Sequence, residues 1–119
     1  MLFRSAVSTY SSGTLSATVG TETFTVSPSA AGTYTFSVDT TSMSVGDIVE
    51  LRAYKKFSSG GTEHGTYFQG LYGTQPAAGM GWPSVPIATS LSVSNALRFS
   101  IKQVAGTSGR TFDWIVESY

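Results

Sequence analysis

The chain has 119 residues, no cysteine, and seven lysines plus arginines balanced by seven aspartates plus glutamates. That length suits one domain whose core needs no staples, and the missing cysteines exclude a disulfide framework, a thiolate metal site and a cysteine nucleophile. A formal net charge of zero leaves no long-range field to steer the chain onto nucleic acid or an anionic membrane.

Charged residues make up 12% of the sequence, about half the usual share, while 19 serines and 16 threonines fill the polar positions. A hydroxyl-covered surface with little net charge favours association over mutual repulsion. The first residues, Met1-Leu2-Phe3-Arg4-Ser5-Ala6-Val7, lack the apolar run of a signal peptide, and no stretch reaches the ~18 apolar residues of a membrane span. The expectation is a chain made in the cytoplasm, with any export by another route, such as release of assembled particles. Residues 1–13 read as a flexible or partner-bound arm, followed by a single domain over 14–119. The arm carries Leu2, Phe3, Val7 and Tyr10, apolar side chains too few for a core and wasted on a solvated tail.

From there the periodicity is two. Leu15, Ala17 and Val19 alternate with Ser16 and Thr18; Phe24 and Val26 alternate with Thr23 and Thr25; Tyr34, Phe36 and Val38 alternate with Thr33, Thr35 and Ser37. Each pattern is a strand with one buried face. After the turn at Val45-Gly46-Asp47, the run Ile48 to Phe57 puts Val49, Leu51, Ala53 and Phe57 on one face and Ile48, Glu50, Arg52, Tyr54 and Lys56 on the other. Ser58-Ser59-Gly60-Gly61 closes a hairpin in which the glycines would supply positive φ, and Thr66 to Tyr72 returns. Residues 73–83, with Gly73, Pro76, Gly79, Gly81 and Pro83, form the longest irregular stretch. Pro86 confines Val85-Pro86-Ile87 to an edge strand or an extended loop. A single helical turn is the reading for Ser90 to Ala96. Leu97, Phe99 and Ile101, then Phe112, Trp114 and Val116, complete the alternation around the turn Gly106 to Gly109. About eight short strands at this spacing predict an all-β chain, a single antiparallel β-sandwich of jelly-roll type.

The residues that carry chemistry are sparse. His64 is the only histidine and reads as an exposed hairpin tip, and no G-x-S-x-G elbow accompanies it. Asp39 and Asp47 flank a loop that would suit calcium, but without a ligand-spacing pattern they read as turn caps. Glu50, Asp113 and Glu117 point outward and argue against a paired-carboxylate glycosidase. Arg52, Lys55, Lys56, Arg98, Lys102 and Arg110 read as a mixed-sign outer face rather than a nucleic-acid groove. No cofactor, metal or catalytic residue is expected. The 15 aromatics are the best functional material. Phe36, Phe99, Phe112 and Trp114 belong to the core, while Tyr67, Tyr72 and Trp82 surround the irregular stretch with Met80. Such residue types suit an interface core, a sugar ring, or a satellite core packed under the long loop.

Two segments carry a resemblance. Gly46 to Lys56 with the Tyr67 to Tyr72 strand, and Ala96 to Gln103 running through Gly106, Gly109 and Arg110 to Trp114, are similar to small proteins from the structural-gene regions of tailed bacteriophages. The resemblance covers residues 30–119. It implies a non-enzymatic virion component, a β-sandwich that decorates or cements a capsid. Its partners would be the major capsid protein or other virion subunits, in a homo-oligomer or symmetric array. The alternative is a tail-fibre, head-fibre or free carbohydrate-binding sandwich that recognises host glycans. The expected contact residues are Leu2, Phe3, Val7, Tyr10, Tyr67, Tyr72, Met80 and Trp82.

Overall fold

A computed structural model describes residues 7–75, 81–84 and 86–119. Its strands are β1 (Ser8–Ser16), β2 (Glu22–Phe24), β3 (Gly32–Asp39), β4 (Ile48–Lys56), β5 (Glu63–Tyr72), β6 (Gly81–Pro83), β7 (Ile87–Thr89), β8 (Leu97–Ala105) and β9 (Thr111–Ser118). One sheet runs β1-β9-β3 and then β6 and β7, both on the far side of β3; the other runs β2-β8-β4-β5. All pairings are antiparallel.

β7 pairs with Gly32 to Tyr34 and β6 with Ser37 to Asp39, so the two are halves of one strand broken between them. Pro83 and Pro86 lack the N–H that a continuous ladder would use, which places this broken strand at a sheet edge. Ser84 bridges the break: its N–H donates to the Phe36 carbonyl at 2.7 Å and its Oγ accepts from the Phe36 N–H at 2.9 Å. Counted this way the described residues form eight strands. First pairs with last (β1 with β9), then β2 with β8, β3 with the broken strand, and β4 with β5. A long antiparallel hairpin folded over itself has this pairing, which is the jelly roll.

The core lies between the sheets. Leu15, Tyr34, Phe36, Val38, Ile87, Phe112 and Val116 from one sheet meet Val49, Leu51, Ala53, Leu71, Leu97, Phe99 and Ile101 from the other. Phe36 and Phe99 stack across the middle with ring centroids 5.1 Å apart. Trp114 is only partly buried, because β1 is an edge strand and its cross-strand neighbour is Gly13. A side chain at Gly13 would begin 3.0 Å from the indole, so the glycine leaves room for the ring to lie over β1.

Several expectations need correction. Residues 8–13 are not an arm: they form most of β1, hydrogen-bonded along β9 from Ser8 opposite Ser118 to Gly13 opposite Trp114. Residues 1–6 lie outside the described residues. β1 ends at Ser16, so Leu15 is buried but Val19 lies in a turn and is exposed. Phe57 follows the end of β4 and is exposed, stacked instead on His64 with centroids 5.1 Å apart. His64 is exposed but sits within β5, opposite Lys55, because β5 begins at Glu63. The Gly60-Gly61 pair does not take positive φ. Ser90 to Ala96 forms bends and a turn with Asn95 at φ 59°, not a helical turn.

Candidate binding surfaces

The outer face of the β2-β8-β4-β5 sheet is the most elaborate surface among the described residues. Register places Glu22 and Phe24 beside Lys102 and Ser100, Arg52 and Tyr54 beside Ser100 and Arg98, and Phe68 opposite Arg52. Glu22 organises the centre: its Oε2 accepts from Ser100 Oγ at 2.5 Å and from Tyr54 Oη at 2.7 Å. Burial opposes the Glu22 charge, but these two hydroxyls, with Arg52 and Lys102 nearby, hold its carboxyl below the usual glutamate value. Arg52 donates to Glu50 at 2.5 Å and to Tyr54 at 3.4 Å, and lies 5.4 Å from the Phe68 ring centre. Arg98 pairs with Glu63 at 2.9 Å and sits 3.5 Å above the Phe24 ring. The basic residues of this face therefore alternate with acids, as the outward alternation of their strands implies.

A β-bulge interrupts the pairing here. Ala53 is opposite Tyr67 but Tyr54 is opposite Gly65, so Thr66 is an extra residue in β5. Bulges re-aim side chains and bend the strand. The result is a trough of about 350 Å³ lined by Arg52, Ala53, Tyr54, Gly65, Thr66, Tyr67 and Phe68. Phe68 keeps 56% of its surface exposed at the trough's wall.

A second surface lies at one end of the sandwich. Gly20 N–H donates to Gln103 O, Gly73 N–H to Asp47 O, Ala17 N–H to Arg110 O, and Ser42 Oγ to Thr111 O, which gathers the turns near residues 20, 45, 73 and 108. Buried Asp47 clamps them: Oδ2 accepts from Arg110 Nε at 2.7 Å and from the Ser44 N–H at 2.9 Å. The Arg110 guanidinium is the main cause that holds the Asp47 carboxyl below the usual aspartate value. Asp39 accepts from the Thr41 N–H and hydroxyl, the turn-cap role expected from sequence, while Asp47 is committed to Arg110 and the Ser44 N–H. Around this end Val19 and Val104 are each 37% exposed, Tyr72 71% and Val45 87%.

Of the expected contact residues, Val7 and Tyr10 are exposed at the β1 edge, with Tyr10 edge-on to Tyr34 at 5.3 Å. Tyr72 is exposed at the loop end. Tyr67 is on the inner side of β5 and packs against the core, a correction that follows from the strand alternation shared with Ala53. Trp82 contributes its backbone to β6, opposite Val38. Leu2, Phe3 and Met80 lie outside the described residues. The residues that line the trough, Arg52, Tyr54, Gly65 and Phe68, were not singled out as a site from the sequence. The outward positions of Arg52 and Tyr54 follow from strand alternation, but the bulge that brings Gly65 onto the same face as Phe68 does not. Comparison with known protein families, curated proteins and solved structures gives no match.

Proposed function

We propose that this chain is a non-enzymatic structural subunit of a phage-type virion, a jelly-roll decoration or cement protein that docks on capsid or other virion subunits. The observation that carries the reading is the loop end of the sandwich, where Val45, Tyr72, Val19 and Val104 present apolar surface to solvent. Val45 sits in a turn of serine and glycine, where neither the fold nor the turn calls for an apolar side chain. Clustered apolar exposure of this kind suits a protein contact. The neutral, hydroxyl-rich surface adds little electrostatic cost to close packing in an array, and the resemblance of residues 30–119 to phage structural proteins supports a virion as the setting. A subunit that binds only the assembled lattice stabilises it by mass action.

The test is quantitative mass spectrometry of virions purified from the source of this sequence, beside binding of the free protein to stripped particles. The expected result is a copy number set by the particle's symmetry, with Val45→Asp weakening binding while leaving the melting temperature of the free protein unchanged. Absence from purified particles, or normal binding by Val45→Asp paired with Val104→Asp, would overturn the reading.

A further inference from the structure

We propose that the trough on the outer face of the β2-β8-β4-β5 sheet is a binding site for a neutral saccharide. The inference is independent of the docking end, because the trough is built from other residues. Its volume, about 350 Å³, is at the small end of the range for small-molecule sites and suits one ring rather than a folded chain. Its floor is Gly65, where an added Cβ would meet nothing within 4 Å. Its wall is the Phe68 ring, more than half open. An aromatic face next to a row of hydrogen-bonding groups matches a pyranose, which offers a patch of C–H groups on one side and hydroxyls around its rim.

The polar groups are held in place before any ligand arrives. Tyr54 Oη is fixed between Glu22 and Arg52, and Arg52 between Tyr54 and Glu50. Of the five guanidinium N–H donors of Arg52, one goes to Tyr54 and one to Glu50, and the enclosed Nε faces no solvent. Two remain for ligand hydroxyls. Thr66 Oγ1 donates to Ala53 O and keeps its lone pairs as acceptors at the rim. Preorganisation of this kind reduces the ordering cost of binding.

Charge decides the class of ligand. Arg52, Lys56, Arg98 and Lys102 on this face stand against Glu22, Glu50 and Glu63, and both arginines are paired to glutamates. Four cations against three anions give no phosphate-attracting stripe, which single-stranded nucleic acid would need beside its stacking ring. A neutral, hydroxyl-rich ligand fits; a polyanion does not.

The full-length protein is applied to an array of neutral oligosaccharides, and any binder is titrated by calorimetry; oligo-dT is titrated in parallel at low and high salt. The expected result is binding to at least one neutral saccharide, weakened about tenfold or more by Phe68→Ala. Gly65→Val fills the trough from its floor, and with open space there and no positive φ it leaves the melting temperature intact while abolishing binding. Val45→Asp binds the saccharide like the parent. No binding to any neutral saccharide on the array, binding that survives both trough substitutions, or salt-sensitive binding to oligo-dT alone would each overturn the proposal.

Discussion

Asp47 has no access to solvent along its side chain, and its pairing with Arg110 ties the turn before β4 to the turn before β9. Removing one partner of such a pair leaves an uncompensated charge, so Arg110→Ala should destabilise the fold by roughly 3 kcal/mol in urea titration. The pH dependence follows from the direction of the Asp47 shift. Its carboxyl is held below the ordinary value in the folded state, so the stability it contributes is complete above the unfolded value of ~3.9 and is lost as pH falls through the folded value. The melting temperature should be flat from neutral pH to about pH 5 and fall below about pH 4, with a shallower acid slope in Asp47→Asn. Glu22 and Asp39 are shifted in the same direction and add to the same acid limb. Gly109 has a different constraint. A Cβ there would overlap the carbonyl oxygen of Ala17, backbone that has no rotamer to yield. Gly109→Ala should therefore lower the melting temperature by far more than an ordinary loop substitution, which differential scanning calorimetry would read directly.

At the scale of the element, two irregularities do the most. The broken β6/β7 strand keeps its place because Ser84 supplies, from one residue, both a donor and an acceptor to Phe36. Ser84→Ala would strip the buried Phe36 N–H of its acceptor, at a cost of about 1–3 kcal/mol in chemical denaturation. Little change in the denaturation midpoint would mean that the break is held by other contacts. The bulge at Thr66 is the second irregularity. It turns a flat outward row of residues into a trough, and it does so where glycine at position 65 removes the side chain that would otherwise cover the floor. Tyr54→Phe keeps the ring but unlinks Arg52 from Glu22, and a loss of about 1 kcal/mol is expected from two missing hydrogen bonds on a half-buried face.

For the molecule as a whole, the jelly roll puts nearly every apolar inward position into one layer. Phe99 is fully buried against Phe36 and both sheets depend on it, so Phe99→Ala should cost ~3–5 kcal/mol. The same wrapping collects the turns into two ends. One carries the Asp47 clamp with the exposed Val19, Val45, Tyr72 and Val104; the other carries both strand termini, Ser8 opposite Ser118, and the Phe57–His64 stack. The proposed docking surface at the first end and the proposed saccharide trough on one sheet face therefore share no residues.

The alternation of apolar and hydroxyl residues determined the longer strands, their inward faces and the sandwich class; Phe24, expected on a buried face, instead lies on the outer face beneath Arg98. Tyr34, Phe36 and Val38, or Val49, Leu51 and Ala53, state their own burial because a pleated strand has a period of two and one face must leave water. Where strands stop was not legible. Phe57 continues the period of β4 yet lies past its end, and residues 8–13 look too polar for a strand because an edge strand needs few apolar anchors when a neighbour satisfies its backbone. Tyr67 and Phe68 are adjacent aromatics, and only the position of the bulge decides which enters the core and which faces the trough. The Asp47–Arg110 pair spans 63 residues and the Glu22–Ser100 bond 78, separations that no local pattern encodes. Local periodicity fixes a strand's faces because it arises from the backbone itself. Register, bulges and long-range polar partners arise from how strands meet, so only the tertiary structure decides them.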